Sequence, residues 1–121
     1  MKVKIDTKEK FHVITLEEPE LSANMTEDME KTLLEYLNKP VRNLIINCKL
    51  VQRIDVSFAK KLVEVQQTFY DNNSSLVICN LEKEIENFLD KNEMLELMNV
   101  TPTESEAWDI VQMEEIEREF S

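Results

Sequence analysis

Glycine is missing from all 121 residues of this chain, and its absence removes whole classes of site. The phosphate-cradling P-loop, the dinucleotide fingerprint, the EF-hand loop and the glycine-flanked nucleophile elbow each need backbone freedom that glycine supplies. Histidine occurs once, at His12, so serine–histidine and metal–histidine constellations have little to build with. In an alternating segment His12 is expected to be a half-exposed strand residue. The two cysteines, Cys48 and Cys79, form no Cys-x-x-Cys pair, and each closes an apolar run. They read as buried thiols in a reducing compartment, neighbours in one sheet at most, and no metal or cofactor is expected.

Long apolar runs are missing too: none approaches the ~20 residues that cross a bilayer. The start, Met1-Lys2-Val3-Lys4-Ile5-Asp6, alternates and lacks an apolar signal core, so a cytoplasmic protein with no membrane insertion is expected. Positive charge is scarce, with 14 Lys and Arg against 25 Asp and Glu and a formal charge of −11. Such a balance disfavours nucleic acid and anionic lipid and favours protein partners, particularly basic ones. An apolar fraction of 42% with 32% charged residues fits a globular chain, and this length fits one domain over 1–121. With glycine absent, asparagine is expected at left-handed helix stops: Asn38, Asn72-Asn73 and Asn92.

What is present alternates between strand and helix patterns. Val3–Thr7 and Phe11–Leu16 read as a strand pair joined by Lys8-Glu9-Lys10. Met25, Met29, Leu33, Leu34 and Leu37 make a helical stripe, which core filling explains better than a methionine-lined groove. Val41–Cys48 is nearly continuous apolar, as a strand covered on both faces should be. A helix with Phe58, Leu62, Val65 and Phe69 on one face follows, then the strand Ser75–Cys79 and a helix from Glu82 to Lys91. A short strand within Met98–Thr101 precedes a terminal helix with Ala107, Trp108, Val111 and Phe120 inward and a strongly acidic end, 114–121. The order implies an α/β class, with a mixed, mainly parallel sheet of four to five strands and about four covering helices.

One segment stands apart. Residues 49–61 hold Lys49, Arg53, Lys60 and Lys61 against Asp55 alone, an electropositive island in an acidic chain. Within it Ser57 opens a helix just beyond a buried strand, where free N–H groups and the helix dipole favour an anion. Serine at a helix start is an ordinary N-cap, worth ~1 kcal/mol. The same position leaves its hydroxyl oriented outward for phosphorylation, with Lys60 or Lys61 to receive the added charge and Asp55 to repel it. No pair of carboxylates stands out as a general acid and base, and no enzyme activity is expected.

The motif Ile54-Asp55-Val56-Ser57-Phe58-Ala59 and the order of elements around it resemble the STAS domains, named for sulfate transporters and anti-sigma factor antagonists. The resemblance runs from about Lys2 to Glu114. The family reads isoleucine–aspartate–serine–serine–glycine–leucine at this point. Leu21-Ser22-Ala23-Asn24 resembles its leucine–aspartate turn, Ser75–Cys79 its following strand, and Asn92-Glu93-Met94-Leu95 stands where it has a glycine–leucine pair. The resemblance implies that Ser57 is the phosphorylated serine, that Asp55 is the motif aspartate, and that Arg53, Val56, Phe58, Lys60 and Lys61 belong to the switch surface. It implies as partners a serine kinase that is also an anti-sigma factor, and a phosphatase that reverses the modification. A constitutive scaffold or accessory subunit on the same fold is the alternative. Val56 replaces the first motif serine and Phe58 the glycine; the phenylalanine either turns inward as core or points outward and reshapes docking.

Overall fold

The computed structural model describes residues 1–120. Its main sheet is built from β1 (Val3–Thr7), β2 (Phe11–Leu16), β4 (Asn43–Asn47), β6 (Leu76–Cys79) and β7 (Val100–Thr101), in the order β1-β2-β4-β6-β7. The β1–β2 pair is antiparallel and every other pairing is parallel. Two short strands, β3 (Glu20–Leu21) and β5 (Arg53–Ile54), pair parallel to each other outside that sheet. The helices are α1 (Thr26–Leu34), α2 (Val56–Asp71), α3 (Lys83–Lys91) and α4 (Glu104–Glu119).

Strand side chains alternate between faces, and the central strands bury both. Leu44, Ile46, Leu76 and Ile78 enter one core with Met29 and Leu33 of α1, Phe58, Leu62, Val65 and Phe69 of α2, and Ile85 and Leu89 of α3. Ile45, Val77 and Cys79 point the other way and join Phe11 and Val13 against Ala107 and Val111 of α4. This division explains why β4 and β6 read as unbroken apolar runs. Three helices cover one face and α4 covers the other.

Several side chains differ from expectation. His12 is buried rather than half-exposed, 7% accessible. Its Nε2 donates to the Val41 carbonyl at 3.0 Å and its Nδ1 meets the Thr7 hydroxyl at 2.9 Å, so strand pairing and the Tyr36 ring, 4.8 Å away, close over it. Phe120 is not inward: it lies past the last turn of α4, 85% exposed. The acidic end 114–121 is helical through Glu119, and its final residue lies outside the described residues.

The helix stops follow asparagine only in part. α2 and α3 end in Schellman motifs: Ser74 N–H reaches Phe69 O at 2.9 Å and Met94 N–H reaches Leu89 O at 2.8 Å. The left-handed residue is Asn73 in the first (φ 58°) but Glu93, not Asn92, in the second (φ 59°). Asn72 and Asn92 instead sit one residue earlier, where their Nδ2 groups bond the Thr68 and Phe88 carbonyls. Asn38 ends a 3₁₀ turn without a positive φ, and Asn80 (φ 58°) takes a left-handed position that the sequence did not signal.

Glu93→Gly is therefore expected to stabilise the fold by about 0.5–1 kcal/mol. The left-handed cost of roughly 1–2 kcal/mol is only partly offset by glycine's larger unfolded-state entropy. Glu93→Val should lose about 1 kcal/mol, and urea unfolding of both variants distinguishes these outcomes.

Candidate functional site

The start of α2 is held from two directions. Asp55 is extended (φ −81°, ψ 148°) and occupies the N-cap position; Val56 is the first helical residue and Ser57 the second. Ser57 is thus not the cap, which corrects the sequence expectation, and its side chain is exposed. Directly beneath it Phe58 and Ala59 are fully buried, so the helix start cannot shift without opening the core. Phe58 turns inward and lies under the surface rather than on it. The expectation that it belongs to a switch surface is therefore overturned.

The second anchor is a loop. Gln52 and Arg53 N–H groups both donate to the Pro19 carbonyl, at 2.7 and 3.0 Å, and Asp55 N–H donates to Leu21 O at 2.9 Å. Ala23 N–H in turn donates to Asp55 Oδ2 at 2.9 Å. The Asp55 carboxylate makes no bond to its own helix; it fastens the Leu21–Asn24 turn to the start of α2. The two segments that resembled family motifs, more than thirty positions apart in the chain but joined here by β3 and β5, form one platform around Ser57.

The positive island is smaller than its sequence suggests. Lys61 Nζ is 3.4 Å from Glu30 of α1 and 3.1 Å from Glu64, and both carboxylates hold its pKa above the ordinary lysine value. Arg53 stands 3.6 Å from Glu20. Among the described residues Lys49 and Lys60 form no ion pair, and Lys60 is exposed one turn from Ser57. Glu20 and Glu30 went unnoticed in the sequence because each neutralises its cation from a distant segment.

The thiols offer no second centre of chemistry. Cys48 and Cys79 are both free and buried; Cys48 follows β4 and Cys79 ends β6, and they join opposite cores of the sheet. Burial pushes each thiol from the ordinary 9.0 up to about 12. Among the described residues no group of three or more His, Cys, Asp or Glu could hold a metal ion, and no helix is long and apolar enough to cross a membrane.

The STAS domain family model matches residues 2–107. The chain belongs to the STAS domain family. Among solved structures this STAS domain is similar to an anti-sigma factor antagonist of Mycobacterium paratuberculosis, with 11% identity, 92% of this chain and 93% of that one aligned, and a TM-score of 0.76. It is similar to the anti-sigma factor antagonist SpoIIAA in its unphosphorylated form, with 18% identity over 92% and 96% of the two chains and a TM-score of 0.70. It is also similar to part of the murine anion transporter Slc26a9, with 16% identity, 86% of this chain but 18% of that one, and a TM-score of 0.68. Identities this low speak for the fold. Among curated protein sequences nothing matches.

Two measurements test this geometry. Asp55→Ala should cost about 1 kcal/mol in urea unfolding and speed amide exchange at Ala23, whereas Asp55→Asn keeps an acceptor and should cost less. The native thiols should react with a disulfide reagent at pH 8 only as fast as the fold opens, since on the order of 1 in 10⁴ is thiolate. Because their folded pKa lies above the unfolded one, their contribution to stability is intact below pH 9 and is lost as pH rises towards 12.

Proposed function

We propose that this STAS domain is a non-catalytic regulatory module of the anti-sigma factor antagonist type, switched by phosphorylation at Ser57. In its unmodified form the platform of Asp55, Val56 and Ser57, with Arg53, Lys60 and Lys61 around it, docks a serine kinase that doubles as an anti-sigma factor. Phosphorylation ends that docking and a phosphatase restores it. The reading takes residues 1–121 as one domain working in the cytoplasm. It is carried by one observation: Ser57 presents an exposed hydroxyl at a helix start that Phe58 below and the Asp55–Ala23 bond beside it hold rigidly. A phosphate there adds roughly two negative charges to a fixed surface, so it changes what binds without needing to change the fold. The likeness to SpoIIAA, solved also in a phosphorylated form from Bacillus, supports the same assignment.

A second reading, a constitutive scaffold or accessory subunit of a signalling or transport complex, is favoured by the prior engagement of Lys61 and Arg53 with carboxylates. That pairing leaves less cationic charge to receive a phosphate. The likeness to part of a transporter points in the same direction.

Wild type, Ser57→Ala and Ser57→Asp used as baits in lysate of the native host separate the two. The switch predicts a kinase of the anti-sigma type retained by wild type and Ser57→Ala and reduced at least tenfold on Ser57→Asp. Equal partners on all three baits would establish the scaffold and reject the switch.

A further inference from the structure

The outer face of α4 carries an apolar stripe that the core does not use. Met113 and Ile116, three residues apart, fall on one side of α4 by its 3.6-residue turn, away from the buried Ala107 and Val111, and Phe120 follows four residues on as the C-cap. They are 55%, 54% and 85% exposed.

The charge around the stripe has one sign. Glu106, Asp109, Glu117 and Glu119 are all exposed on α4. The helix has a single cation, Arg118, and it is drawn inward to Ser75 Oγ at 3.2 Å, Asn43 Oδ1 at 3.3 Å and Glu115 at 3.6 Å. Among the described residues of α4 no cation therefore faces outward.

We infer that this face docks a basic amphipathic helix of another protein, its apolar side on Met113, Ile116 and Phe120 and its lysines or arginines against the flanking carboxylates. A ridge two turns long at these spacings suits a helix, and the carboxylates select its charge. A second copy of this chain fits poorly, since it would bring the same acidic face and a net charge of −11. The surface is separate from Ser57: α2 and α4 cover opposite faces of the sheet.

The test titrates isotope-labelled protein with a synthetic peptide of leucine and lysine, about 18 residues long and patterned as an amphipathic helix. A scrambled peptide of the same composition is the control. The inference requires amide shifts centred on Met113, Ile116 and their neighbours on α4 and binding at least tenfold tighter than the scrambled peptide's. It also requires a tenfold or greater loss on replacing Met113, Ile116 and Phe120 together by serine, with an unchanged circular dichroism spectrum. Equal binding of both peptides, shifts centred on Ser57, or unaltered affinity of the serine variant would overturn it. So would sedimentation showing a wild-type dimer that the serine variant loses, because the occupant would then be a second copy.

Discussion

Leu44, Ile45 and Ile46 are each completely inaccessible, and the other elements take their places from the burial of β4 on both faces. A strand with solvent on one side can alternate, but a strand buried on two sides must find partners for every residue. The odd and even positions of β4 and β6 feed different cores. One core needs the apolar stripes of α1, α2 and α3 and the other needs α4. Each large apolar side chain buried this way contributes about 1.5–3 kcal/mol. The position of Ser57 follows from this packing. Phe58, Leu62, Val65 and Phe69 press one side of α2 onto β4 and β6, and the hydroxyl on the second helical residue is left outside.

A chain without glycine must still turn. It does so by placing asparagine or glutamate in left-handed conformation, at a cost per residue that the Schellman hydrogen bonds at Asn73 and Glu93 repay by satisfying helix carbonyls. The third left-handed residue is Asn80, just past the end of β6. The motif glycine beside Ser57 is different in kind. Phe58 sits in an ordinary helical position there, so its replacement of glycine carries no backbone strain. It supplies a buried ring instead, and the start of α2 is anchored by a side chain where the family pattern has none.

The fold was legible because its signals are periodic. Alternation marked β1 and β2, unbroken apolar runs marked β4 and β6, and the stripe Phe58–Phe69 marked α2. The two-residue strands β3 and β5 were not legible, since a pair of residues has no period. Their pairing depends on Pro19 and Leu21 carbonyls meeting a segment more than thirty residues away. The candidate site was legible as residue types and not as geometry. Ser57 and Asp55 were found by their motif, but the cap position shifted from one to the other. The carboxylates that neutralise Lys61 and Arg53 reach them through tertiary packing. His12 departs from its alternating pattern for a similar reason: its burial comes from Val41 and Tyr36, which belong to another part of the chain.

The paired state of Lys61 bears on how a phosphate at Ser57 would be felt. Lys61 already holds α1 to α2 through Glu30 and continues to Glu64. These groups are partly exposed, so each contact is weak in water and screened by salt. A phosphate four residues before Lys61 would compete with Glu30 for the same ammonium. Such an exchange costs little and gains little, so it is a poor means of refolding the domain. Lys60, without an ion pair among the described residues and one residue closer in sequence, is the cation that could compensate the phosphate without disturbing α1. The balance between these two lysines leaves most of the added negative charge on the surface, beside the carboxylate of Asp55. A partner that docks there in the unmodified state would meet like-charge repulsion or find its own acidic groups excluded, with the domain beneath unchanged. The physical requirement for such a switch is rigidity rather than motion, and the buried Phe58 and the Asp55–Ala23 bond supply it.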